Sequence, residues 1–189
     1  MPWTSSSPPD RGLASACMTA TDFMTRRYAN LAGLLACVAM MGFALYSEYV
    51  LLLEPCPLCV FQRMATIGLG AVFLLAFLHN PAGRGGRVYG VLVFATAAAG
   101  AGIAGRHVWV QNLPADEVPA CGAGLDYLMN TVPLTEVIRE VLTGSGECAE
   151  LKWSFLGLSM PAWVLICLTL LGLFGLIANF RLPARRGAG

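Results

Sequence analysis

Long apolar runs separated by short polar stretches dominate the pattern of this chain. Four of these runs are long enough to cross a bilayer as helices, which takes about 20 mainly apolar residues. They are predicted at residues 28–46, 60–79, 88–106 and 161–180. A long polar segment, about residues 107–160, separates the last two runs. The pattern therefore predicts an all-α integral membrane protein, a bundle of four transmembrane helices with one long loop.

Composition supports one membrane domain. Of the 189 residues, 57% are hydrophobic and 12% are charged, too few charges to cover the surface of a soluble domain. The net charge of +1 gives no indication of a nucleic-acid partner. We expect the domain at residues 28–180, with cytoplasmic tails at 1–27 and 181–189. The first tail is polar and predicted disordered, lacks the apolar core of a signal peptide, and offers Met1, Met18 and Met24 as alternative starts.

Arginine placement predicts which side of the bundle faces the cytoplasm, because positive residues are retained there. Arginines precede the first run, separate the second from the third, and follow the fourth: Arg26, Arg27, Arg84, Arg87, Arg181, Arg185 and Arg186. The opposite segments are mainly acidic. We therefore expect both termini in the cytoplasm and the long loop outside.

This topology sorts the seven cysteines. The outer side receives Cys56, Cys59, Cys121 and Cys148. Cys17 falls in the cytoplasmic tail, whereas Cys37 and Cys167 fall inside helices, where cysteine behaves as a small apolar residue. Four outward cysteines in an oxidising compartment indicate two disulfides, and spacing alone leaves three pairings open.

The segment Cys56-Pro-Leu-Cys59 is predicted at the N-terminus of the second helix. Unpaired backbone N–H groups and the helix dipole stabilise a thiolate there, which favours a reactive pair. Val60 in place of histidine excludes a c-type haem site. A four-cysteine zinc site and a structural disulfide remain alternatives, although bridging so short a loop hardly constrains the unfolded chain.

Arg63 follows Cys59 by four residues and is predicted one turn deeper on the same helix face. A cation within a span is costly and marks a functional site, although near the interface it can extend towards water. Its charge would stabilise a thiolate on Cys59 and donate hydrogen bonds to a bound membrane oxidant such as a quinone.

The second cysteine pair belongs to the long loop. Between its members, LTEVIREVL at residues 134–142 predicts a short amphipathic helix lying on the membrane or covering the bundle. Its apolar face comprises Leu134, Val137, Ile138, Val141 and Leu142. A disulfide in such a segment is accessible to an external thiolate.

These motifs together resemble the DsbB family, bacterial inner-membrane proteins that reoxidise periplasmic DsbA. The resemblance covers about residues 28–180. It rests on the run from Cys56 to Arg63, on the outer pair, and on Cys148-Ala-Glu before Trp153-Ser-Phe-Leu-Gly-Leu-Ser-Met-Pro-Ala-Trp163. The resemblance implies a four-helix bundle in the inner membrane with its redox cysteines on the periplasmic side.

The resemblance also implies a route for electrons. A reduced DsbA-like partner attacks the Cys121–Cys148 disulfide through Cys121, and the electrons pass to Cys56–Cys59. Cys59 then faces a quinone, either ubiquinone or menaquinone, with help from Arg63. His107 corresponds to a histidine that lies near the quinone in the family, although a solvated histidine at the interface would look the same in sequence.

Two other functions remain open at this point. One is a quinone-linked enzyme resembling vitamin K epoxide reductase, although there the CxxC lies near a late helix. The other is a non-catalytic scaffold whose loop is held by structural disulfides, which would resist mild thiols.

Overall fold

The computed structural model describes residues 25–81, 83–114, 117, 130–131, 133–144, 146–150 and 153–182. Most of the two predicted tails lies outside these residues. So do two of the cysteines singled out by the sequence, Cys17 and Cys121.

Four long helices form the bundle and confirm the predicted fold class. They are α1 (Arg26–Tyr49), α2 (Pro57–His79), α3 (Arg84–Gln111) and, last in the chain, α6 (Met160–Arg181). Each is long and apolar enough to cross a membrane. We call the end where α2 begins and α3 ends the cysteine end, and the opposite end the arginine end.

Two helix boundaries differ from the sequence expectation, and both differences matter for the site. Helix α2 begins at Pro57 rather than residue 60, because proline suits the first helical position, with Cys56 as N-cap. Helix α3 continues past residue 106 to Gln111 and so includes His107. The side-chain amide of Asn112 donates to the carbonyl of Val108 (2.7 Å) and closes that end.

In the described part of the segment before α6 lie two short helices and an unexpected β-hairpin. The helices are α4 (Leu134–Thr143) and α5 (Gly146–Ala149). Strands β1 (Ser154–Phe155) and β2 (Leu158–Ser159) pair antiparallel. Their two-residue turn, Leu156 and Gly157, has positive φ at both positions, as a type I′ turn requires. Sequence reasoning missed the hairpin because strands of two residues carry no periodic signal.

Close helix packing builds the core around Phe73, which is fully buried. Its ring lies against Gly33 of α1, where an added Cβ would approach to 2.6 Å, and against Gly175 of α6. The buried residues around it are Cys37, Leu69, Val93, Ala97 and Leu168. Small residues at these crossings let the backbones approach, since helices in lipid associate mainly through packing.

Polar contacts join the helices at the arginine end. The Arg26 guanidinium donates to the carbonyls of Pro81 (2.6 Å) and Leu182 (2.9 Å). One turn along, Asn30 and Asn179 exchange side-chain hydrogen bonds of 3.2 and 2.9 Å while fully buried. These contacts hold together the start of α1, the α2–α3 turn and the end of α6. The cysteine end lies at the other end of the bundle.

Candidate redox site

The first turn of α2 carries two neighbouring cysteines. Cys56 is the N-cap residue and Cys59 lies in the turn that follows, so both side chains are at the end of the helix where backbone N–H groups are unpaired. Their sulfur atoms are 3.1 Å apart, within hydrogen-bond distance for sulfur. Cys56 is 5% exposed, whereas Cys59 is more accessible. The two thiols are therefore placed for exchange between dithiol and disulfide.

His107 reaches this pair from α3 and is 3% exposed. Its Nε2 lies 3.7 Å from Cys56 Sγ, and its Nδ1 lies 3.9 Å from Cys59 Sγ. The sequence placed this residue near the site only through the family resemblance. The structure brings its ring against both sulfur atoms, a suitable position for moving a proton between them.

Gln62 holds the histidine ring, and sequence reasoning missed it. Its side-chain amide donates to Nδ1 of His107 (3.0 Å), while Nε2–H donates to the carbonyl of Cys148 (3.1 Å). Both ring nitrogens thus have a defined partner, which fixes the tautomer. The signal available in the sequence was a polar residue in an apolar span, three positions after Cys59. In the structure its side chain is 4% exposed.

Cys148 belongs to the short helix α5 and lies beside the first pair. It is 1% exposed, and one ligand atom each from Cys56, His107 and Cys148 lies within 4.8 Å of the others. The second loop cysteine therefore already lies beside the first pair. The predicted exchange partner Cys121 lies outside the described residues.

Helix α4 covers this cluster. Val137 and Val141 are buried against Leu58 and Val110, whereas Ile138 and Leu142, predicted on the same apolar face, remain about 40% exposed. The Arg106 side chain donates to the last two carbonyls of α4, at 2.9 and 2.8 Å. This contact fixes α4 to α3 beside the cysteines, so the helix shields the site.

Arg63 lies deeper in the bundle, as predicted, and is paired with a residue that the sequence did not indicate. Its guanidinium forms an ion pair with Glu48 of α1 and donates to the carbonyl of Ala44 (3.1 Å). The Arg63 and Glu48 side chains are 21% and 27% exposed. Glu48 therefore sets the direction in which Arg63 presents its remaining N–H groups.

A mainly apolar cavity of about 600 Å³ opens beside these residues. Its lining includes Cys56, Cys59, Arg63 and His107. Four aromatic side chains also line it: Phe43, Trp153, Phe155 and Trp163. The rings of Trp153 and Phe155 stack at 5.9 Å, and Trp163 donates its indole N–H to the Phe155 carbonyl (3.1 Å). The hairpin therefore forms part of the cavity.

The two cysteines assigned to helix interiors differ in position. Cys37 is 3% exposed and packs in the apolar core. Cys167 is half-buried and lines the cavity, so its surroundings are less enclosed than the sequence suggested.

Comparison with known proteins gives consistent matches. The family model described as disulfide bond formation protein DsbB matches residues 26–178. Three proteins named disulfide bond formation protein B align over most of this chain. That of Nitrosococcus oceani is 49% identical over 150 residues, 79% of this chain and 89% of that protein. That of Marinobacter nauticus is 48% identical (84% and 94% covered), and that of Hahella chejuensis is 51% identical (76% and 87% covered).

Proposed function

Because the chain belongs to the DsbB family of disulfide bond formation proteins, we propose that it reoxidises a periplasmic DsbA-like protein and passes the electrons to a membrane quinone. Membership of the family supports the coarser statement that the protein is a disulfide oxidoreductase in a membrane. The observation that carries the finer proposal is the position of the Cys56 sulfur, 3.1 Å from that of Cys59 and within 4.8 Å of that of Cys148. Cys56 and Cys59 also line a cavity of about 600 Å³.

The first half of the reaction exchanges disulfides. A partner thiolate attacks Cys121 in the Cys121–Cys148 disulfide, forms a mixed disulfide, and releases Cys148 as a thiolate. Cys148 attacks Cys56 in the Cys56–Cys59 disulfide and releases Cys59 as a thiolate. The second partner thiol then frees Cys121, which attacks Cys148 and releases Cys56. The partner leaves oxidised, and its two electrons remain on Cys56 and Cys59.

The short distances support this exchange. Thiol–disulfide exchange proceeds by direct attack of one sulfur on another, so the sulfur atoms must approach each other. Cys56 and Cys148 meet this requirement through the packing of α5 against α3. His107, beside both sulfur atoms of the first pair, takes up the proton of one thiol and returns it after the exchange.

The second half of the reaction takes place at the cavity. Its volume and mainly apolar walls with a few polar groups are typical of small-molecule sites. A quinone bound there would supply the final acceptor for two electrons and two protons. Cys59 lines the cavity and would be the electron-donating thiolate, and Arg63 would donate hydrogen bonds to a ring carbonyl of the quinone. The aromatic side chains of the lining would exclude water from it.

The same proposal includes the orientation in the membrane. Arg26, Arg84 and Arg181 lie at the arginine end, whereas the cysteine pair and Cys148 lie at the other. Because positively charged flanks stay in the cytoplasm, the cysteine end faces the periplasm of an inner membrane. There the oxidising compartment permits stable disulfides.

Quinone reduction by the purified, detergent-solubilised protein tests the function. A reduced DsbA-type protein is supplied with excess quinone, and serine variants of Cys56, Cys59, Cys121 and Cys148 are compared with wild type. The matched controls are Cys17→Ser and Cys37→Ala, both outside the proposed route. We expect turnover to require all four cysteines and neither control position. A folded wild type that gives no turnover, with disulfides resistant to mild thiols, would instead indicate the scaffold.

The Cys121→Ser variant is the most informative member of this series. It removes the sulfur that the partner attacks but leaves the Cys56–Cys59 pair and the cavity unchanged. We expect it to lose oxidation of the partner while a small dithiol still reduces the quinone through the first pair. Normal turnover with the partner would contradict the order of steps.

A further inference from the structure

We propose that the reduced site binds one zinc ion through Cys56, Cys148 and His107, and that the bound metal holds the protein in a reduced, inactive form. Among the residues that the structure describes, these three form a group of metal-binding side chains with ligand atoms within 4.8 Å of one another. The binding step depends on this geometry alone, whereas its effect on activity rests on the function proposed above.

The distances suit tetrahedral zinc. With Zn–S near 2.3 Å and Zn–N near 2.0 Å, a thiolate sulfur and an imidazole nitrogen on one ion lie about 3.5 Å apart. Cys56 Sγ and His107 Nε2 are 3.7 Å apart in the structure. Water completes the four-coordinate site, and Cys59 Sγ, 3.1 Å from Cys56 Sγ, stays beside it as a thiol. Small movements of side chains are therefore sufficient.

The three ligands come from separate elements, α2, α3 and α5, and all are buried at 5% exposure or less. Two thiolates and a neutral imidazole balance the charge of Zn²⁺, which limits the cost of burying the ion. Binding to the thiol form releases two protons, because thiolates are the ligands. The packed bundle thus presents a dry, neutral ligand set once the cysteines are reduced.

Gln62 is placed to support the metal from behind. A histidine that ligates zinc usually donates its other ring N–H to a fixed acceptor. Rotation of the buried Gln62 amide would place the Gln62 Oε1 where the Gln62 Nε2 now lies, 3.0 Å from the His107 Nδ1. The His107 Nδ1–H would then donate to Gln62 Oε1. The His107 Nε2 would bind the metal and give up its hydrogen bond to the Cys148 carbonyl.

The consequence is an inhibition that depends on redox state. A Cys56–Cys59 disulfide removes the Cys56 ligand, and a Cys121–Cys148 disulfide removes the Cys148 ligand. The complete site therefore exists only when both pairs are reduced. Zinc bound to the reduced protein occupies the sulfur atoms that must next form a disulfide. We therefore expect zinc to inhibit when it is added after reduction of the protein, and much less when it is added before.

Binding is measured on reduced, quinone-free protein without any partner, by competition for Zn²⁺ with a chromophoric chelator under anaerobic conditions. Co²⁺ serves as a second probe, through its thiolate charge-transfer absorption. We expect one ion per reduced chain and none per oxidised chain, with two protons released for each zinc. Cys56→Ser, Cys148→Ser and His107→Ala should lose the site, and Gln62→Leu should weaken it by about 10-fold or more.

The chain offers matched controls for both ligand types. His79 is the other of the two histidines and lies at the arginine end beside Tyr89, so His79→Ala should bind zinc normally. Cys37→Ala removes a thiol from the core and should also bind normally.

Equal binding by oxidised protein, or by the three ligand variants, overturns the proposal. If zinc-free wild type gives no quinone reduction but binds zinc as described, the proposed function fails and the metal site stands.

Discussion

The ion pair between Glu48 and Arg63 provides a sharp test of how the cavity is organised. The two side chains come from α1 and α2, and Arg63 also donates to the Ala44 carbonyl. Replacing Glu48 by glutamine removes the charge with little change in shape. The guanidinium then keeps one defined acceptor, Ala44, and can turn towards water at the membrane surface. We expect Glu48→Gln to weaken quinone binding without touching the quinone.

The magnitude follows from the exposure of the pair. Exposed salt bridges contribute about 0.2–1 kcal/mol, and hydrogen bonds to charged groups about 1.5–3 kcal/mol. At 21% and 27% exposure, Arg63 and Glu48 lie between these cases, so we expect about 1–2 kcal/mol. If this energy holds Arg63 in the orientation that binds the quinone, its loss lowers the fraction of molecules with Arg63 in that orientation. The apparent affinity for the quinone then falls in proportion to that fraction. The expected increase in the quinone KM is about 5- to 30-fold.

A double-mutant cycle with Glu48→Gln and Arg63→Met isolates the interaction. Initial rates of quinone reduction at saturating reduced partner give KM and kcat for each variant. Both single variants should raise KM with a smaller effect on kcat, and the double variant should resemble Arg63→Met alone. Glu136→Gln, on the exposed face of α4, is the matched carboxylate control. Additive effects, or an unchanged KM in Glu48→Gln, would refute the positioning role.

Three further predictions concern the thiols, the histidine and the core. Cys59→Ser should abolish quinone reduction while leaving the thermal unfolding temperature in detergent unchanged; residual turnover would point to another electron donor. Gln62→Leu removes one ring partner of His107 and should slow exchange between the cysteine pairs by about tenfold in single-turnover kinetics; an unchanged rate would contradict its role. Gly33→Ala places a Cβ 2.6 Å from the Phe73 ring and should destabilise the bundle by about 1–3 kcal/mol. The matched variant Gly42→Ala, with no described atom within 4 Å, should show no such loss in thermal unfolding.

The sequence predicted features that depend on local pattern. Apolar runs longer than a bilayer is thick leave few alternatives to helices, so the four spans were predictable. The CxxC segment was expected at the N-terminus of α2, although the span was predicted from residue 60 and the helix begins at Pro57. Helical spacing placed Arg63 one turn below Cys59. These inferences need only the repeat of a single helix.

Contacts between elements were not predictable in the same way. Glu48 precedes Arg63 by 15 positions, and Gln62 precedes His107 by 45, so only the packing of α1 and α3 against α2 brings each pair together. The hairpin was missed because its strands are too short for alternation to be visible. Residues that become neighbours on adjacent helices leave no pattern in the local sequence. The residues that line the cavity were therefore identified only from the structure.

The arrangement of the CxxC pair explains how a single helical turn can separate two half-reactions. Both cysteines line the cavity, but Cys56, at the N-cap, lies next to Cys148, whereas Cys59 lies one turn on, with Arg63 below it. In the proposed route the Cys148 thiolate attacks Cys56, and the thiolate released on Cys59 would face a quinone in the cavity. The His107 ring lies beside both sulfur atoms, so protons need not cross the cavity as electrons pass between them. In the proposed route each half-reaction thus has its own sulfur atom in the CxxC pair, while the reduction potentials of the partner and the quinone set the direction of net electron flow.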